Sequence, residues 1–171
     1  DTVVDKKWLS PVVGYLNKNP NVAGGQFKLL KYSDKNVFDS AGEKITSWGF
    51  LVERARSAKD KSQFDKPEKI FSGKGAAMIF KRKIFEKAGG FDPDYFIFWE
   101  EPDLCWRIWK TGKEIVFLPM GKVWHKKEKQ KKSSYKKKRQ KITFWGCRNQ
   151  IMTVYKNSIG TNRIKMLISV N

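Results

Sequence analysis

The stretch FDPDYFIFWEEPDLCWR, residues 91–107, sets five carboxylates (Asp92, Asp94, Glu100, Glu101 and Asp103) among six aromatic side chains and closes on Arg107. Two adjacent glutamates beside Phe96, Phe98 and Trp99 lose part of their hydration and repel each other, and both effects strengthen a carboxylate's hold on its proton. At the edge of an apolar pocket such a group is suited to general-base work, taking a proton from a hydroxyl as the oxygen attacks. Asp103 and Arg107 stand four residues apart and can pair along a helix, so Asp103 reads equally as a structural ion and as a site residue. His125, the sole histidine, closes the apolar fragment KVWH. With one histidine and no suitable nucleophile pattern, Ser-His-Asp and Cys-His chemistry is set aside.

These groups need elements to hold them. Pro102 suits the first turn of a helix, where its missing N–H is not needed, and predicts a helix from Pro102 to Thr111 that Gly112 stops. Leu104, Cys105, Ile108 and Trp109 form its buried stripe. Glu100 and Glu101 then fall at the helix mouth, where unpaired backbone N–H groups favour negative charge by up to about 1 kcal/mol. Upstream, Trp8, Leu9, Val12, Val13 and Leu16 recur at helical spacing and Pro20 ends the pattern. VAGGQFKLLKY reads as a strand weakened by paired glycines, with short strand runs around the turn at Ala41-Gly42. The polar stretch Leu51 to Lys69 has little periodicity and predicts a mobile loop in the role of a lid. GAAMIF predicts a buried strand, KRKIFEKAGG a two-turn helix, and EIVFLP and KVWH two further strand fragments. Residues 135–157 space Ile142, Trp145, Ile151, Met152 and Tyr155 like a helix, and TNRIKMLISVN restarts one after Gly160. The alternation of helix and strand signals gives an α/β chain.

The 171 residues carry 36 Lys and Arg against 17 Asp and Glu, a formal net charge of +19. Ten of those bases stand between Lys126 and Lys141 against the single Glu128, so about nine of the nineteen charges lie in one short segment. A nucleic-acid surface would interleave aromatics for base stacking, and this run has Tyr135 alone; nucleic acid also leaves the acidic motif unexplained. An anionic membrane surface fits better, each base near it contributing about 1 kcal/mol. No segment approaches the roughly 20 apolar residues of a membrane span. Cys105 and Cys147, without Cys-x-x-Cys spacing, read as two structural thiols in a reducing compartment. The expected location is cytoplasmic, peripheral at the inner face of the cell membrane.

From SGKGAAMIFKRKIFEKAGGFDPDYF to LPMGKVWH the sequence resembles the second half of a glycosyltransferase family 2 catalytic domain, which has the GT-A fold. In that family a Gly-Ala strand and a helix ending in Gly-Gly-Phe-Asp precede an aromatic-rich Glu-Asp-x-Asp-Leu-x-x-Arg motif, then a strand and a histidine. The resemblance implies a Rossmann-like mixed sheet flanked by helices, residues 1–125 forming the C-terminal half of the catalytic domain. Residues 126–171 would form a basic, membrane-proximal segment with the C-terminal helices. It makes Asp1 the last acid of an Asp-x-Asp motif, with the nucleotide-binding half upstream of this chain.

Under the same resemblance Glu101 is the general base of an inverting displacement from a nucleotide-diphosphate sugar donor to a hydroxyl of a glycan or lipid-linked acceptor. The family usually has Asp there, and Glu100 is the candidate to share the task. Asp1 and His125 match positions that hold a divalent metal, Mn²⁺ or Mg²⁺. Gly75, Trp99, Asp103, Arg107 and Arg148 are the implied substrate-side residues. The alternative is a degenerate, non-catalytic transferase-like domain that binds membranes or partners through its basic segment.

Overall fold

The computed structural model describes residues 1–126 and 135–168. Most of the basic run between Lys126 and Lys141, and the last three residues, lie outside the described residues, as do the side chains of 135–141 and 167.

The architecture is a mixed sheet with helices on both faces. Strand β2 (Val22–Lys31) runs parallel to the long β8 (Glu114–His125). Against these, β1 (Thr2–Val4) pairs antiparallel with β8, β3 (Phe38–Ser40) and β7 (Met78–Phe80) pair antiparallel with β2, and β6 (Glu68–Lys69) pairs antiparallel with β8. A separate hairpin joins β4 (Glu43–Ile45) to β5 (Leu51–Glu53). Helix α1 (Leu9–Lys18) covers one face, where Val12 and Leu16 meet Val22, Phe27, Leu29 and Val116. Helix α3 (Glu100–Lys110) covers the other, where Leu104, Cys105 and Ile108 meet Leu30, Phe38, Ile115 and Phe117. Between them in sequence lies the short α2 (Arg82–Lys87). Helices α4 (Tyr135–Asn157) and α5 (Gly160–Ile168) close the described chain, and α4 packs on α3. None of the described helices is long and apolar enough to cross a membrane.

Several expectations change in the structure. The paired glycines of β2 are the reason that strand can be central: a Cβ on Gly24 would overlap the Ile79 carbonyl of β7, and one on Gly25 the Val116 carbonyl of β8. The fragments EIVFLP and KVWH form one strand. Phe27 pairs with Leu118 and Lys28 with Lys122, so residues 119–121 bulge out and the ladder resumes beyond them. The GAAMIF segment begins as a 3-10 turn, Gly75–Ala77, and its strand residues Met78 to Phe80 are only half-buried. Helix α3 starts at Glu100, one turn edge earlier than Pro102 suggested, which places both glutamates inside its first turn.

The stretch expected to be a mobile lid is pinned. Lys28, buried in β2, extends its ammonium to Asp60 at 2.8 Å and Asp65 at 2.5 Å. Burial disfavours the charged lysine, but the two carboxylates outweigh it and its pKa is raised. Phe64 from the same stretch packs edge-on between Phe38 and Phe117, with the Arg54 guanidinium above both Phe64 and Phe117. Of the two thiols, Cys105 is buried and Cys147 is exposed on α4; burial pushes the Cys105 thiol well above its usual range.

Candidate active site

Where β8 ends, the hairpin β4–β5, the Gly73–Ala76 segment and the first turn of α3 enclose a cavity of about 680 Å³. Its chemistry comes from Glu43, Glu53, Lys74, Glu100, Glu101 and His125, and its apolar wall from Leu51, Ile97, Phe98, Trp99 and Ile142.

Glu101 is built into this cavity by its neighbours in space. The backbone N–H of Gly75 donates to Glu101 Oε1 at 2.7 Å, and a Cβ on residue 75 would overlap that oxygen. Gly75 is itself fixed through the preceding residue: the Lys74 N–H donates at 2.8 Å to Oε1 of Gln26, a fully buried side chain of β2. Burial, with the Glu100 charge adding to it, pushes the Glu101 carboxyl up to about 7. Glu100 lines the same cavity, and its Oε2 is buried with no hydrogen-bond partner among the described residues. Glu43, also on the wall, is raised chiefly by burial, although Ser72 Oγ donates to it at 2.5 Å.

The pair Phe98 and Trp99 aims this helix mouth. Both residues take left-handed backbone angles, φ 67° and 71°, which bulky side chains rarely adopt. Trp99 caps α3 by position, with no side-chain hydrogen bond to its open N–H groups.

Across the cavity, His125 sits at the end of β8 with Thr2 and Lys31 as its register partners. Its Nδ1 lies 2.9 Å from Oδ2 of Asp39, a buried carboxylate of β3, and its Nε2 lies 3.5 Å from Asp1 Oδ2. With the proton on Nδ1, the ring donates to Asp39 and turns the Nε2 lone pair toward Asp1. This is the arrangement in which a metal-ligating histidine is oriented by a carboxylate behind it. At 3.5 Å the Asp1 Oδ2 and His125 Nε2 atoms lie near enough for both to face one divalent ion. Among the described residues no group of three or more His, Cys, Asp or Glu side chains converges as a complete cage. Asp1 and His125 together could hold a divalent ion, and a mixed carboxylate and imidazole pair suits Mn²⁺. Asp39 carried no sequence signal, because it reaches His125 across 86 positions. The same residue approaches Lys74, whose ammonium lies 3.8 Å from Asp39 Oδ1 and 3.3 Å from Glu53 Oε2.

Of the residues the sequence singled out, Gly75, Trp99, Glu100, Glu101 and His125 line the one cavity, with Asp1 at its rim beside His125. Asp103, Arg107 and Arg148 do not line it. Asp103 is wholly buried and takes hydrogen bonds from Arg107 Nε at 2.9 Å, Asn157 Nδ2 at 2.7 Å and the Tyr95 hydroxyl at 3.4 Å. Arg107 also donates to the carbonyls of Ala88 and Gly90, tying down the glycine pair that ends α2. Arg148 donates to the Asp94 carbonyl and to Asn149 Oδ1 and lies over the Trp145 ring. All three position the loop and helix that carry the glutamates.

Comparison with known proteins bears on the family and the fold. The sequence profile of Glycosyl transferase family group 2 matches residues 1–170. The chain is 38% identical over 53 residues to an N-acetylglucosaminyl-diphospho-decaprenol L-rhamnosyltransferase of Mycobacterium tuberculosis, covering 31% of this chain and 17% of that protein. It is 23% identical over 133 residues to N-acetylgalactosaminyltransferase 7 of Drosophila melanogaster, covering 71% of this chain and 22% of the relative. The crystal structure of GalNAc-T7 with UDP, GalNAc and Mn²⁺ superposes with a TM-score of 0.61 at 14% identity, over 90% of this chain and 29% of that one, a likeness of fold. The chain thus spans about a fifth of the length of these curated relatives.

Proposed function

The chain belongs to glycosyl transferase family group 2, and from that premise we propose that it forms the acceptor side of an inverting transferase active site with Glu101 as general base. One observation carries this reading: a carboxyl held by the Gly75 N–H and raised to about 7 faces the same cavity as His125 and Asp1. A base of that strength is about half ionised at neutral pH, the condition under which it can both accept and release a proton efficiently.

In the proposed step the acceptor hydroxyl oxygen attacks the anomeric carbon of a nucleotide-diphosphate sugar. The new C–O bond forms as the bond from that carbon to the diphosphate oxygen breaks, and the hydroxyl proton passes to Glu101. The nucleoside diphosphate leaves with the bonding electron pair. Asp1 and His125 would hold a divalent cation, Mn²⁺ or Mg²⁺, and when bound that ion supplies charge neutralisation for the departing diphosphate. Glu100, with a buried oxygen that no described residue satisfies, accepts a hydrogen bond from a second acceptor hydroxyl. Trp99 and Phe98 offer ring faces to a sugar.

The acceptor class we propose is a lipid-linked glycan. The rhamnosyltransferase relative is named for a sugar carried on diphospho-decaprenol. In this chain the cavity wall at Ile97 and Ile142 continues into exposed apolar side chains, Phe96 at 79% exposure and Phe144 at 61%. With the bases between Lys126 and Lys141 nearby in sequence, this end suits the peripheral approach to an anionic membrane surface.

The test is release of nucleoside diphosphate by the full-length protein from a panel of nucleotide sugars with Mn²⁺, comparing wild type, Glu101→Gln and Glu100→Gln. A loss of about a hundredfold or more confined to Glu101→Gln supports the assignment. Equal turnover in wild type and Glu101→Gln sinks it.

A further inference from the structure

Helix α4 touches both walls of the cavity through two neighbouring side chains. Asn149, fully buried, donates through Nδ2 to the Ile97 carbonyl at 2.8 Å and to the Phe98 carbonyl at 2.9 Å. Its Oδ1 accepts from the Arg148 guanidinium at 2.8 Å, which fixes the direction of the amide. Both amide hydrogens are therefore spent on the peptides leading into the left-handed Phe98 and Trp99. On the opposite side Gln150 Nε2 donates at 3.0 Å to the carbonyl of Gly49, the turn residue of the β4–β5 hairpin. That hairpin carries Glu43, Leu51 and Glu53 into the cavity, and its turn rests on Val154 of α4 and Met166 of α5.

We propose that the Asn149-Gln150 pair is a clamp across the acceptor cavity. Asn149 is the positioning residue that keeps Phe98 and Trp99 in their left-handed conformation and so sets the reach of Glu101, while Gln150 holds the facing hairpin. The inference rests on the transferase reading for its effect on catalysis, but not for the clamp itself. The backbone conformation it explains is costly: left-handed non-glycine residues are kept only where surrounding contacts over-determine them. Two such residues in succession, both aromatic, have in Asn149 a donor for the carbonyl before them and the carbonyl between them. Neither Asn149 nor Gln150 lines the cavity, so their influence on the reaction is through the walls.

The experiment uses full-length protein as wild type, Asn149→Ala, Phe98→Gly and the double variant. In thermal unfolding, Asn149→Ala lowers the midpoint in the Phe98 background and lowers it by less than half as much in the Phe98→Gly background, since glycine takes a positive φ unaided. Equal losses in both backgrounds overturn the clamp. Phe98→Asn, which also tolerates the left-handed region, replaces Phe98→Gly if that variant does not fold, under the same criterion.

The second readout is the pH dependence of turnover. Asn149→Ala is expected to lower kcat about tenfold and to move the acid limb from near 7 toward the ordinary carboxylate range. Its affinity for UDP, GDP or dTDP with Mn²⁺, whichever binds wild type, stays within about twofold. An unchanged kcat with an unmoved acid limb overturns the positioning role. If wild type turns over no donor, the transferase reading is what fails, and the thermal cycle still decides the clamp.

Discussion

Glu101 and Asp103 stand two residues apart in the first turns of α3, both are acids out of bulk water, and they have opposite fates. Asp103 is surrounded by donors: Arg107 answers its charge, and Asn157 and Tyr95 answer its oxygens. Glu101 has only backbone N–H groups, its own and that of Gly75, with the like charges of Glu100 and Glu43 near it. Burial is common to the two; the partner is what separates a carboxylate held in an ion pair from one whose hold on its proton is strengthened. Helical geometry makes the separation possible, because residues two apart point to different sides of the helix, Asp103 toward α4 and Glu101 toward the cavity.

The contrast can be broken most severely from the Asp103 side. Asp103→Ala removes the charge that answers Arg107 and leaves Asn157 and Tyr95 with Thr153 alone, and is expected to cost about 3 kcal/mol or more in urea unfolding. A cost below about 1 kcal/mol would show that the buried network is not what holds α3 to α4. The Glu101 side predicts a gain. Its folded value of about 7 lies above the ordinary 4.5, so between those pH values the folded chain holds more protons than the unfolded chain, and stability falls as pH rises through that window. Glu101→Gln keeps an oxygen for the Gly75 N–H and removes the charge. It should be more stable than wild type at pH 8 by on the order of 2 kcal/mol and no more stable at pH 4, measured by unfolding at both.

A third buried acid sharpens the contrast. Asp39 has an imidazole for partner, and if its task is to orient His125, Asp39→Asn should weaken Mn²⁺ binding by about tenfold in calorimetry on the full-length protein. Unaltered affinity would leave Asp39 with a purely structural part. The smallest effect is expected at Gly75, where an added methyl meets only the flexible end of Glu101. Gly75→Ala should leave the unfolding midpoint almost unchanged and cut turnover about tenfold by displacing the base; a drop in stability without loss of turnover would contradict the role of the Gly75 N–H.

Much of α3 was legible because its signals are local. Pro102, the stripe of Leu104, Cys105 and Ile108, and the Asp103-Arg107 spacing all lie within one helix, and the adjacent glutamates announce a raised carboxyl by themselves. The sequence read less well wherever a role depends on a distant partner. The Leu51 to Lys69 stretch is polar and aperiodic, which describes its surface; what pins it is Lys28, and a lysine inside the apolar run FKLLK was the available sign. Pro119 to Gly121 punctuated β8 and hid its continuity, because a bulge and a strand end look alike in one dimension. Asp39, Asn149 and Gln150 act across 86, 52 and 101 positions, and no spacing rule reaches so far.

The bridge that α4 makes also orders events during synthesis. The two walls of the cavity leave the ribosome well before residues 149 and 150, so a nascent chain exposes its glutamates with their loop unfastened and the hairpin unanchored. Domains form as their chain emerges, N-terminal parts first. The pocket is consequently finished only once α4 has been translated, and a chain truncated ahead of α4 would carry every acid named above without the clamp proposed for the loop that bears the glutamates.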